Sequence, residues 1–139
     1  MVIVDTTVWI EYLRAIENPE TLWLDSQLER RRMGLTDLIL CEVLQGISDE
    51  RESVQVQNEL LKFNVYRTGG SELAVAAAQN YRELRHSGYT VRKTIDCLIA
   101  TFCLFGKHEL LHRDRDFDCF ERMLGLKVVH PAGVSSPML

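Results

Sequence analysis

Met1-Val2-Ile3-Val4-Asp5-Thr6-Thr7-Val8-Trp9-Ile10-Glu11-Tyr12-Leu13 joins an unbroken apolar run to a segment whose apolar residues recur at helical intervals, and an aspartate marks the join. The run Met1 to Val4 is continuous, β-branched and bounded by a polar cluster, which predicts a short buried strand. Val8, Trp9, Tyr12 and Leu13 share one face of the helix that follows. Asp5 therefore lies where a strand ends and a helix begins, the edge at which open parallel α/β sheets collect ligands. Aspartate also caps helices, so on this stretch alone Asp5 is either a cap or a ligand.

The same arrangement recurs near the other end of the chain. Glu109-Leu110-Leu111-His112 reads as a short strand, and Arg113-Asp114-Arg115-Asp116-Phe117 leaves it before a short helical segment through Phe120 and Met123. Two acids two residues apart project together from extended backbone and diverge in a turn. Asp114, nearer the strand end, is expected to face a site directly. Asp116 is a second ligand, an outer group or a helix cap, and Asp118 is surface charge.

Two further acids are embedded in apolar helices. Thr36 to Gly46 has a cap-like start and a terminal glycine, with Glu42 among residues suited to packing. Thr94 to Gly106 is apolar nearly all round, as a buried helix is, and its one acid, Asp96, sits in the first turn where the dipole favours negative charge. Helix-start stabilisation accounts for Asp96 alone, and an amphipathic edge accounts for Glu42 alone. Carboxylates are costly to bury unless paired or bound to a cation, so a fold that gathers these five must place positive charge between them.

The rest of the chain reads as mostly helical, over Glu20 to Arg31, Glu52 to Phe63 and Ser71 to Arg85, with Ser71 as a cap and Gly88 as a stop. Short strands at Met33 to Leu35 and Lys127 to Val129 complete an alternation that implies an α/β fold with a small parallel sheet wrapped by helices. Residues 1–130 are expected to form one domain, and the Pro-, Ser- and Gly-rich tail 131–139 to be mobile. The first two of these helices carry more large apolar residues than a small sheet covers, leaving room for a groove or dimer face.

A chain of 139 residues is long enough to build a core without staples. No stretch approaches the ~20 apolar residues that span a bilayer, and the start lacks a signal-peptide pattern, so a cytoplasmic protein away from membranes is expected. Cys41, Cys97, Cys103 and Cys119 lack paired metal-ligand spacing and are expected to be buried free thiols. His112 and His130 have no partner histidines at ligand spacing and read as structural. The net charge of −4 argues against a generic nucleic-acid binder held by bulk electrostatics. Local cations matter more: Arg92 and Lys93 precede Asp96, and Arg113 and Arg115 alternate with Asp114 and Asp116. Arg30 to Arg32 reads as a solvated helix end.

Taken in order, the Asp5 stretch, the Glu42 helix, Thr90-Val91-Arg92-Lys93-Thr94-Ile95-Asp96-Cys97-Leu98-Ile99-Ala100 and Leu111-His112-Arg113-Asp114-Arg115-Asp116-Phe117-Asp118 resemble the PIN domain, and more narrowly its VapC toxin branch. The resemblance runs across almost the whole chain. It implies a three-layer α/β/α sandwich and a toxin–antitoxin endoribonuclease that uses Mg2+ or Mn2+. By position, Asp5, Glu42, Asp96 and Asp114 match the family's acidic quartet, Asp116 its further acid, and Thr7 the hydroxyl residue that supports the first aspartate. Asp5, Asp96 and Asp114 are expected to bind the metal, while Arg92, Lys93, Arg113 and Arg115 meet RNA phosphates. The resemblance also implies a homodimer and a VapB-type antitoxin whose tail blocks the cleft.

Two other classes remain open on sequence. A haloacid dehalogenase or response receiver also places Asp at a first strand end, but the former needs a second Asp where Thr7 stands, and the latter expects adjacent acids before that strand. A catalytically silent module with an acidic cleft for a basic partner peptide is the second alternative.

Overall fold

The computed structural model describes residues 1–131. Among them the chain forms five strands, β1 (Val2–Val4), β2 (Met33–Thr36), β3 (Asn64–Tyr66), β4 (Glu109–Leu111) and β5 (Lys127–Val128). All pair in parallel in the order β3-β2-β1-β4-β5. Parallel neighbours cannot be joined by tight turns. The crossovers carry seven α-helices: α1 (Thr6–Leu13), α2 (Pro19–Gln27), α3 (Asp37–Gln45), α4 (Glu50–Leu60), α5 (Gly70–His86), α6 (Thr94–Gly106) and α7 (Asp118–Leu124). The helices flank the sheet, giving the expected α/β architecture.

β1 is the central strand, and Val2, Ile3 and Val4 have no exposed surface, as a strand covered on both faces requires. Its neighbours are β2, which follows it early, and β4, which follows it late. The order therefore reverses between β1 and β4. At such a switch point the two crossovers leave toward opposite sides and open a crevice at the carboxyl ends of the strands. The backbone N–H of Asp5 donates to the carbonyl of Leu111 at 3.0 Å, so the rims of β1 and β4 are tied at the point where the acidic residues begin.

β3 went unforeseen. Three residues are too few to display alternation, and this edge strand is only partly buried, so no apolar run marks it. Gly34 of β2 is what brings it close: a Cβ there meets the Asn64 carbonyl oxygen and Met1 Sδ, both at 2.9 Å. Helix starts shift for identifiable reasons. α2 begins at Pro19 because Asn18 and Thr21 form a reciprocal capping box ahead of it, and α5 is preceded by Gly69 in the left-handed region (φ 111°) rather than by a Ser71 cap.

The α2 helix also stops short of its expected end. Arg31, beyond it, pairs with Glu109 and lies 5.6 Å from the Trp23 ring centroid instead of being merely solvated. Cys97, Cys103 and Cys119 are buried free thiols, whereas Cys41 is exposed on the outer side of α3. The tail expected to be mobile lies outside the described residues except for Pro131, which is buried. Among the described residues no helix is long and apolar enough to cross a membrane.

Candidate active site

Asp5 follows β1 directly and occupies the N-cap position of α1, yet its carboxylate makes no capping hydrogen bond. It is buried, with Oδ1 left without any hydrogen-bond partner. Asp96 is the third residue of α6, 4% exposed, and its Oδ2 is likewise without a partner. Two aspartates that serve only to start helices do not discard their hydrogen bonds in this way.

Asp114 sits three residues beyond β4 and opens a 3-10 turn over Arg115–Phe117. Its Oδ1 accepts from the Asp116 N–H at 2.9 Å, and its own N–H donates to His112 Nδ1 at 3.1 Å. That turn decides the question left open by the spacing of the two acids. Wrapped around the Asp114 carboxylate, it turns Asp116 toward the same space, and Asp96, Asp114 and Asp116 each offer a carboxylate oxygen within 4.8 Å of the others. Glu42 reaches in from α3, where its Oε1 accepts from the Thr6 hydroxyl at 2.7 Å.

The electrostatics record the crowding. Burial pushes the Asp5 carboxyl up to about 7, with repulsion from Asp96, Glu42 and Asp114 adding to it and the Thr6 amide opposing it. Asp96 is raised to about 6 by burial and by Asp114, Glu42 and Asp116, against the pull of Lys93. Each of the five acids is thus within electrostatic reach of another, with Asp96, Asp114 and Asp116 the tightest group. Oxygen donors with unpaired buried lone pairs and mutual repulsion suit a hard divalent cation, which accepts a few carboxylates and keeps water in its other positions. The residues present therefore fit the metal that the sequence resemblance implied.

His112 is pushed down to about 4 by burial, so its ring is neutral at physiological pH and Nδ1 is free to accept from Asp114. It packs 4.9 Å from the Phe117 ring centroid and holds the Asp114 turn against the core.

The cations divide. Arg92 Nη2 lies 3.3 Å from Asp116 Oδ1 with most of its side chain in solvent, and Lys93 is the exposed N-cap residue of α6. Arg115 is exposed. Arg113, by contrast, is engaged on the protein itself, with Nη1 2.5 Å from Glu11 and Nε 2.9 Å from Glu20. Glu20 is buried and its second oxygen has no partner, so Arg113 is what neutralises it. Removing the guanidinium leaves a buried carboxylate alone. Arg113→Ala is expected to cost about 1–3 kcal/mol in urea unfolding at pH 7, discounted for the solvent around Arg113, and Glu20→Gln in the same chain is expected to restore most of it.

The PIN-domain family model matches residues 2–122, a span that holds all five acids. The chain belongs to the PIN-domain family. VapC ribonuclease Mb1587 of Mycobacterium bovis is 35% identical to this PIN domain over 133 residues, covering 91% of this chain and 96% of the relative. Ribonuclease VapC11 of Mycobacterium tuberculosis gives the same figures, so the chain groups with the VapC ribonucleases. Among solved structures, FitAcB from Neisseria gonorrhoeae superposes with a TM-score of 0.75 at 21% identity, over 96% of this chain and 100% of that one. VapBC2 from Rickettsia felis, bound to a DNA fragment from their promoter, superposes with a TM-score of 0.73 at 14% identity, over 93% and 98% of the two chains. At those identities the likeness concerns the fold.

In this PIN domain it is Thr6, not Thr7, whose hydroxyl reaches one of the five acids, Glu42, while Thr7 is exposed. A threonine next to the first aspartate was a visible signal; which of two adjacent hydroxyls faces inward depends on helix phase. Glu11 and Glu20 carried no sequence signal of their role, since their partner Arg113 lies far along the chain.

Proposed function

We propose that this PIN domain, residues 1–130, is the toxin of a type II toxin–antitoxin pair: an endoribonuclease that hydrolyses RNA phosphodiester bonds with Mg2+ or Mn2+. The reading rests above all on one observation, the buried carboxylates of Asp5 and Asp96, each with an oxygen left unpaired, the Asp96 carboxylate clustered with Asp114 and Asp116 and the Asp5 carboxylate repelled by Asp96 and Asp114. The ribonuclease names of the 35%-identical relatives support it.

Asp5, Asp96 and Asp114 hold the cation in this scheme, with Asp116 beside them. A divalent ion held there would supply charge stabilisation for the phosphoryl and leaving oxygens and would ease the ionisation of a water near neutral pH. Glu42 takes the position of a base: Thr6 fixes one of its oxygens, and the other is available to orient water and receive a proton. Arg92, Lys93 and Arg115 neutralise phosphates on either side of the scissile bond. Arg92 exchanges its Asp116 contact for a phosphate, a substitution that its solvent exposure makes inexpensive.

A VapB-type antitoxin and a second copy of the chain are the proposed protein partners, in the cytoplasm. Support comes from neighbours such as VapBC from Salmonella typhimurium and from exposed apolar residues Leu22, Val54 and Leu61 on α2 and at α4. Purified protein free of antitoxin, given Mg2+ or Mn2+ and a total RNA pool, is expected to produce discrete new RNA ends that disappear with chelator. If no RNA is cut under either metal, the ribonuclease reading fails and the alternative, an acidic cleft that binds a basic peptide, gains.

A further inference from the structure

Between α5 and α6 the structure leaves an open cavity of about 560 Å3, within the roughly 300–1,000 Å3 range of small-ligand sites. Its shape follows from the sequence. Ala74, Ala78 and Tyr81 lie at i, i+4 and i+7 on one face of α5, and two small side chains there leave the space beside Leu98 unfilled. Buried Val91 forms the base, and the exposed Arg82 and Arg92 stand at the opening. No carboxylate is among its lining residues, so in a chain of net charge −4 this cavity carries two positive charges and no negative one.

Arg92 links the cavity to the acidic site. Arg92 belongs to both, lining the cavity while its Nη2 meets Asp116, and Thr94, another lining residue, lies two positions before Asp96. A polynucleotide offers what this combination recognises: a flat apolar ring for the walls and for Tyr81, with phosphates on either side for the guanidinium groups. A basic peptide is repelled by the arginines, and an acidic one brings charge for them but no flat ring for the largely apolar walls.

Resting on the ribonuclease reading, we propose that the α5–α6 cavity receives one unpaired nucleobase of the RNA, adjacent to the phosphodiester that is cut, while Arg82 and Arg92 contact its flanking phosphates. The cavity then helps to set where the strand is cleaved.

The test uses the full chain and a short single-stranded RNA carrying a cut mapped from total RNA. Replacing the base on one side of the cut by an abasic unit is expected to raise KM about tenfold, with kcat within about twofold. Ala78→Phe, which fills the cavity from an exposed helix position, is expected to raise KM similarly on the natural RNA and to be insensitive to the abasic unit. Tyr81→Ala is expected to behave alike and serves if the first variant folds poorly. The proposal is overturned if both variants keep the wild-type KM and the abasic penalty. It is also overturned if Ala78→Phe changes only the mass measured by light scattering, since a second copy then covers the cavity. A wild-type protein that cuts no RNA removes the ribonuclease reading and the base site with it, which separates the two failures.

Discussion

Asp96→Asn is expected to slow metal-dependent RNA cleavage by about a thousandfold or more while making the chelated protein more stable. The two effects have one cause. Asp96 is 4% exposed, lacks a partner for one oxygen, and is repelled by Asp114, Glu42 and Asp116. A rise from 3.8 to about 6 corresponds to roughly 3 kcal/mol against the ionised form. Asparagine keeps the shape, removes the charge and brings an N–H donor to the neighbouring carboxylates. In the proposed scheme it also removes one of the three carboxylates that hold the cation. A melting temperature about 5 °C or more above wild type in chelator, with cleavage lost in Mg2+ and Mn2+, is the expected pair of readings. An Asp96 that merely stabilises the start of α6 predicts the reverse: a lower melting temperature and intact cleavage.

The second large effect is a stability that declines as pH rises. Asp5 goes from 3.8 to about 7 on folding and Asp96 from 3.8 to about 6, so between these values the folded chain binds more protons than the unfolded one. Under that inequality unfolding free energy falls with increasing pH. The contribution is complete below about 3.8, where both states are protonated, and is gone once pH passes about 7 and the buried carboxyls must ionise in place. For Asp5 alone it is on the order of 4 kcal/mol. Urea midpoints of the chelated protein are therefore expected to drop between pH 5 and pH 7.5. Mg2+ at about 100 times its Kd adds roughly 2.7 kcal/mol, and because it competes with protons the gain is expected to be larger at pH 7.5 than at pH 5.5. A midpoint of the chelated protein that stays level across that range contradicts the gathered acids.

What the sequence disclosed follows from the range of the interactions involved. β1 and its closing aspartate were legible because strand, acid and helix are contiguous, and the strand is buried on both faces. The parallel sheet was legible because helices alternate with apolar runs. β3 was not, since its three residues owe their pairing to the close approach that Gly34 permits in another strand. The mutual approach of Asp96, Asp114 and Asp116 depends on the turn that Asp114 folds around the Asp116 amide, a geometry that spacing alone left undecided. Arg113 shows the limit most clearly. Just ahead of two acids in sequence it read as a phosphate contact, yet one of its carboxylate partners stands 102 residues earlier and had no local mark.

The central strand has its late neighbour at residues 109–111, and the acids at 114 and 116 follow it. A growing polypeptide thus carries Asp5, Glu42 and Asp96 well before it holds the remaining two, and β1 waits for a companion that emerges more than a hundred residues after it. Closing so long a loop is slow. Incomplete translation products ending ahead of β4 consequently lack Asp114 and Asp116, so the acidic site is assembled only after nearly all of its parts have been synthesised.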